Sequence, residues 1–478
     1  MNDHAGGAWC EVLPGEQRER IHRLGLRILE EAGVKVDDAA VQETLRKAGA
    51  RMGEGAGRFR LPAGLIADAL ASAPKTAPIA NRLGEVVEVS AGGPSTFWSG
   101  AALRRVDGRE GRAERIDSAW LARFTRLVSR LPNTTAVVGT ALCDIPPRCN
   151  DFAGFRVMAR HTRKHLRPLM FSEHGGSAIV EMGRVLAGGT ALKDHPLFSV
   201  GYSVLTPLHW EATALALFRL TAGDGIPVMI NSEPMAGASA PVTLAGAVAL
   251  GHAEILSGIA INQLLEPGRP CIYNLGFAHV MDMRSALALT GAAENGLLGA
   301  AGAEMAAFLK LPSASWMCTD ALTADHQAAY EKTLTAWAHA AAGVNVIWGI
   351  GQLESEASLS LLQAVVDDEI AGAVLRFKRG IPVNDEHLAA DPILRRAAGG
   401  SYLHEEHTVN HFRTEIRPST LSFRNRREAW ERDGRHDAYT RAEARVKTLL
   451  AEEDEPCVTT EQDREMERIE RRFRERLG

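Results

Sequence analysis

From residue 17 onward, apolar residues recur at helical spacing. IHRLGLRILEEAGV reads as an amphipathic helix stopped by Gly33, and DDAAVQETLRKAGA repeats the shape and ends the same way. RFRLPAGLIADALASAP predicts a third helix, with Pro62 suited to its start and Pro74 lying beyond its end. Residues 81–115 read as short strands and turns.

A different rhythm follows. Short β-rich runs occur at 95–100, 134–142, 169–174, 197–205, 226–233, 270–276, 313–319 and 344–351, each followed by a helical segment. Strand alternating with helix predicts parallel βαβ units, and eight of them predict a (β/α)8 TIM barrel. The rival is a doubly wound open sheet, but no GxGxxG follows the first strand. The predicted organisation is an N-terminal helical region (1–90), a barrel catalytic domain (91–415) and a charged C-terminal helical extension (416–478). In that extension EQDREMERIERRFRERLG predicts a solvated or partner-facing helix with many i, i+4 charge pairs.

Composition narrows the class. Of 478 residues 45% are apolar and 24% charged, ordinary globular values. A formal net charge of -5 gives no field that would draw in nucleic acid. No apolar stretch reaches the ~20 clean residues of a membrane span, and the first residues lack the pattern of a signal peptide. Six scattered cysteines without a pairing rhythm fit reduced thiols, so the expected location is the cytoplasm.

Barrel enzymes work at the C-terminal ends of their strands. Aromatic residues make up only 6% of the chain, yet Trp98, Tyr202, Trp316 and Trp348 fall in or at the ends of predicted strands. Facing a pocket, such rings could hold a quaternary ammonium by cation–π attraction; the alternative is that they fill the barrel. Asn231 and Glu233 close the fifth strand on one side, where the carboxylate could balance a cation or cap the next helix. Asn274, His279 and Gln327 are candidate hydrogen-bond donors, and Asp320 lies in the loop after the seventh strand. His404, His407 and His411 at i, i+3 and i+7 have zinc-ligand spacing but follow the last strand, so a packing role competes. Cys143 and Cys149 have no complementary second pair, and no metal site is expected.

Several long segments, in order, resemble the trimethylamine methyltransferase family: IHRLGLRILEEAGV, INSEPMAGASAPVTLAGAVALGHAEIL, MDMRSALALTGAAENGL, DHQAAYEK, DDEIAGAVLRFKRGI and HEEHTVNHFR. The resemblance covers nearly the whole chain. It implies a TIM barrel and methyl transfer from a methylated amine to the Co(I) of a corrinoid carried by a separate small protein, with no cofactor held tightly by this chain. The archaeal members carry pyrrolysine near the strand that here reads SASWMCTDAL, where only standard residues stand. The chain therefore resembles the branch without pyrrolysine, whose substrates are quaternary amines such as glycine betaine, proline betaine and carnitine. Leu322 stands where related members often show Lys, and His326 interrupts an Asp-Ala-Gln run at Asp325–Gln327, which leaves the particular amine open.

Two other readings compete. One is a zinc-dependent methyltransferase of related barrel design for a thiol or alcohol, with Cys143, Cys318, His174 and His279 as ligands. The other is a betaine-binding protein without transfer activity. The charged and barrel helices could also support a homo-oligomer.

Overall fold

The computed structural model describes residues 10–109 and 111–477; the reading of the first residues lies outside them. Eight parallel strands form the central sheet: β1 Thr96–Ser99, β2 Thr134–Val138, β3 His165–Arg167, β4 Val200–Ser203, β5 Val228–Asn231, β6 Cys271–Gly276, β7 Ser313–Trp316 and β8 Val346–Ile350. They pair in chain order, and β8 returns to β1 with Val346 opposite Thr96. Between β3 and β4 a single bridge, Leu166 to Phe198, completes the circle. This is the predicted (β/α)8 barrel.

Its helices are α1 Ser118–Ser129, α2 Asn150–His161, α3 Glu173–Leu186, α4 Ala212–Leu220, α5 Leu244–Leu265, α6 Ala293–Phe308, α7 His326–Ala342 and α8 Leu361–Lys378. Many begin with a side-chain cap, as where Asp325 accepts from the Ala328 N–H at α7. α5 is long and apolar enough to cross a membrane, but it is mostly buried within the molecule. Its small residues let it lie between the barrel wall and the N-terminal helices, with Glu254 satisfied by Ser232, Thr206 and the Leu208 N–H.

The third strand was predicted at 169–174 but lies at His165–Arg167. LMFSEH is the loop and first turn that follow, where Ser172 caps α3. The KHLRP stretch has two basic residues and a histidine in a buried strand, so its burial is hidden from hydrophobicity alone.

At the N-terminal end a hairpin, Thr76–Ala80 with Val86–Ser90, plugs the barrel. Ala77, Ile79 and Val89 pack with Met229, Ile272 and Val346 from inside it. The helix Gly15–Glu31 is fixed near α6, where Glu304 accepts from the Val12 and Leu13 N–H groups at 2.6 and 2.9 Å. The last helix, Thr460–Glu475, was expected to be solvated or partner-facing. One face instead packs on α3 through Met466, Ile469 and Phe473, at i, i+3 and i+7. These apolar residues are spaced so that the surrounding charges mask the stripe.

Candidate active site

Along each barrel strand alternate residues face inward. Trp98 on β1, Trp316 on β7 and Trp348 on β8 meet inside the barrel with Phe277. Trp98 and Trp348 stack with centres 6.1 Å apart; Phe277 stands edge-on to Trp316 at 4.6 Å and to Trp348 at 5.4 Å. The indole Nε1 atoms of all three tryptophans are buried without an acceptor. Arg167 ends β3 beside them, its guanidinium 5.3 Å from the Trp348 ring centre.

One layer toward the mouth, side chains of β6, β5 and β4 form a polar row. Asn274 donates to Asn231 at 2.8 Å, Asn231 to Ser203 at 3.3 Å, and Ser203 to Glu233 at 2.9 Å. Each amide is thereby oriented, and the row ends on a carboxylate. Burial pushes the Glu233 carboxyl up, against the Ser203 hydrogen bond and nearby His279, which pull it down. Ser203 and Glu233 keep exposed surface although they belong to the barrel interior, as groups on the wall of an open cavity do.

A second carboxylate, Glu356, was not foreseen. It sits in the loop after β8, where Glu354, Ser355 and Glu356 all have positive φ (57°, 48° and 70°). Three such non-glycine residues in succession are costly and persist only where the surroundings impose them. Here the Glu354 N–H donates to the Ala321 carbonyl, the Ser355 N–H to the Thr319 carbonyl, and the Ser355 hydroxyl to Asp320 at 2.6 Å. Glu356 keeps exposed surface, as Glu233 does, yet desolvation by the protein crowded around it, followed by the field of Glu233, pushes its carboxyl up to about 8. In the sequence, GQLESEASL carries no sign of this turn.

The structure thus brings together Trp98, Trp316, Trp348, Asn231, Asn274 and Glu233, with His279 nearby on the strand His279–Asp282. Three expected site residues point elsewhere. Tyr202 faces the helix layer, bonded to the Leu217 carbonyl and to Thr221 of the α4 end, because Gly201 and Ser203 take the inward positions. Asp320 is a brace: it accepts from the Thr290 N–H and hydroxyl and from Ser355, tying three loops together. Gln327, on the first turn of α7, donates to Glu331.

The His407 and His411 rings lie 4.4 Å apart and tilted, with His387 rather than His404 as third ring. They lie beyond α8, whose last residue, Lys378, bonds to Gly93 and Ser95 at the opposite end of the barrel from the mouth. His174 bonds to the Phe473 carbonyl on the outside, away from Cys318 and His279. Among the described residues no three His, Cys, Asp or Glu side chains converge as a metal site.

The family model for trimethylamine methyltransferase (MTTB) matches residues 4–476. The chain is 31% identical to the trimethylamine methyltransferase MttB of Desulfitobacterium hafniense (strain DSM 10664 / DCB-2), over 91% of this chain and 88% of the relative. It is 29% identical to the glycine betaine methyltransferase of Desulfitobacterium hafniense (strain Y51), over 95% of each. The monomethylamine methyltransferase MtmB of Methanosarcina barkeri shares the fold, with a TM-score of 0.55 at 12% identity over 91% of this chain and 88% of that one. With the barrel, the inward tryptophans and the match along almost its full length, the chain belongs to the trimethylamine methyltransferase family and is a methyltransferase.

Proposed function

We propose that the enzyme takes a methyl group from a quaternary methylated amine bound in the barrel mouth and passes it to the corrinoid of a separate protein docked over that mouth. The observation that carries this reading is the tryptophan cluster inside the barrel beneath a polar row that ends on Glu233, whose side chain keeps exposed surface at the mouth. Glu233 above the aromatic cluster attracts a cation, and the row from Asn274 to Glu233 fixes where that charge sits. A quaternary ammonium already carries a neutral amine as leaving group, so no side chain has to donate a proton. What remains for this chain is to align a methyl group with its acceptor and exclude water.

A corrinoid docked there would supply the nucleophile for the methyl group, with the C–N electron pair staying on the departing amine. The residues around the mouth fit such a partner. Leu103, Phe171, Leu205, Val242, Met283 and Leu322 are exposed, one on each of six of the eight loops between a strand end and its helix. A ring of this kind marks an interaction surface rather than scattered exposure.

The test is methyl transfer from a panel of methylated amines to the reduced corrinoid protein, followed by the visible spectrum. Amine-dependent methylation is expected. In the variants Met283→Asp and Leu322→Asp, KM for the corrinoid protein should rise about tenfold while amine binding stays unchanged, in line with the cost of losing an interface contact. Ligand binding without transfer to any corrinoid protein would overturn the proposal.

A further inference from the structure

Arg167 is 5% exposed inside the barrel, and no carboxylate among the described residues pairs with it. Among the described residues its side chain makes one hydrogen bond, from Nη1 to the Pro168 carbonyl, and Nε is buried without an acceptor. A Cβ on Gly201 would lie 2.4 Å from Nη2, so the glycine makes room for the guanidinium. A buried charge without a counter-ion is expensive, and burial lowers the Arg167 pKa to about 10. The surroundings make the imbalance greater. Three indole N–H groups lack acceptors in the same interior, against one buried acceptor without a donor nearby, Gln352 Oε1. A cluster rich in donors and bearing positive charge calls for a ligand group with several lone pairs and negative charge.

The charge also changes sign along the barrel axis. Gly201 is level with Met229, Ser203 with Asn231, and Asn231 with Asn274. Arg167 therefore lies one layer below the polar row. Glu233, two residues beyond Asn231 on the chain, and Glu356 stand at the mouth. A zwitterion entering this field has one favoured orientation: anion to the floor, cation to the rim.

We propose that Arg167, with the indole N–H groups around it, binds the carboxylate of a betaine-type substrate and thereby turns its ammonium methyl groups toward the mouth. This rests on the methyltransferase reading above and adds which class of amine fits. An amine with no anionic group would leave the guanidinium unpaired, and a site built to bond a polar group discriminates strongly against analogues that lack it.

Calorimetric titration of the full-length protein with glycine betaine, proline betaine, carnitine, tetramethylammonium and acetate tests this. At least one carboxylate-bearing amine is expected to bind about 100-fold or more tightly than tetramethylammonium or acetate. Arg167→Met should lose about 100-fold or more of that affinity, the usual cost of truncating one partner of a buried charge pair, and Arg167→Lys should lose part of it. Tetramethylammonium should bind all three proteins alike. Arg167→Met removes an unpaired charge and should melt no lower than the wild type, which separates lost binding from lost folding. Equal affinity for betaines in wild type and Arg167→Met would overturn the assignment. So would a wild type that binds no betaine, or binds tetramethylammonium or acetate as tightly. Methyl transfer from trimethylamine or tetramethylammonium at the same kcat/KM as from betaines would sink the role of Arg167 and leave the methyltransferase reading standing. Betaine bound through Arg167 but never demethylated would do the reverse.

Discussion

Lys332 on α7 and Asp367 on α8 form an ion pair at 2.5 Å with neither side chain exposed. Lys332 also donates to the Gly349 carbonyl at 2.8 Å, and Asp367 accepts from the Gly351 N–H and from Gln363, both at 2.7 Å. Gly349, next after Trp348, and Gly351 have φ of 111° and 87°, so the pair fixes the chain between that ring and the Glu356 turn. Lys332→Met would leave a fully buried carboxylate with two neutral donors. Breaking a buried pair in this way costs about 3–5 kcal/mol. The cost should depend on pH. Burial already holds the Asp367 carboxyl above its ordinary value, while Lys332 pulls it down; without the lysine it rises further. A folded protein then holds a proton that the unfolded chain releases above the ordinary carboxylate range, so stability falls as pH rises through that window, by up to about 1.4 kcal/mol per unit. Urea unfolding followed by circular dichroism should show a larger deficit at pH 8 than at pH 5, and adding Asp367→Asn should recover much of it. A loss under about 1 kcal/mol at pH 8, or equal losses at both pH values, would refute a buried ionised pair here.

Two further outcomes follow from the geometry of the barrel. Tyr202→Phe deletes hydroxyl bonds in the helix layer, so it should lower stability by about 1 kcal/mol and leave amine affinity unchanged; a tenfold weaker affinity in titration would mean that the ring reaches the cavity. Glu356, with its carboxyl at about 8, is neutral below that pH and anionic above it. Binding of a cationic amine should therefore tighten from pH 7 to 9 in the wild type and stay flat in Glu356→Gln; matching profiles in the two proteins would show that Glu356 does not face the ligand.

Much of the fold was legible because barrel strands advertise themselves. Runs such as IPVMINSE and VNVIWGIG are buried on both sides, and their spacing admits few architectures. The strand KHLRP escaped detection because its inward positions are His165 and Arg167, the residues that make the floor polar. The site divides along the same line. Alternation located Asn231 and Glu233 on one side of β5, and the tryptophans at strand ends stood out by their scarcity. Alternation alone cannot say which parity faces inward, so Tyr202 and not Gly201 looked functional on β4; the smaller residue is inward because the guanidinium needs its space. Arg167 and Glu356 became visible only in three dimensions. One is known by the partners it lacks and the other by a backbone conformation that no residue in GQLESEASL announces.

The two ends of the cavity pull in different ways on catalysis. Positive charge leaves nitrogen as the methyl group departs, so negative charge beside the ammonium stabilises the bound substrate more than the transition state. Two ionised glutamates at the mouth would hold the cation well and release its methyl group poorly. Desolvation, followed by the field of Glu233, lifts the Glu356 carboxyl to about 8, so Glu356 adds no full charge there at neutral pH. The contact of Arg167 is with a carboxylate that keeps its charge throughout, so it is made equally in the bound substrate and in the transition state. Binding energy spent there orients the substrate at small cost to the transfer step, whereas the same energy spent at the rim would be lost from it. A cavity whose affinity comes mainly from its floor and whose rim is only weakly charged is what methyl transfer from a cation requires.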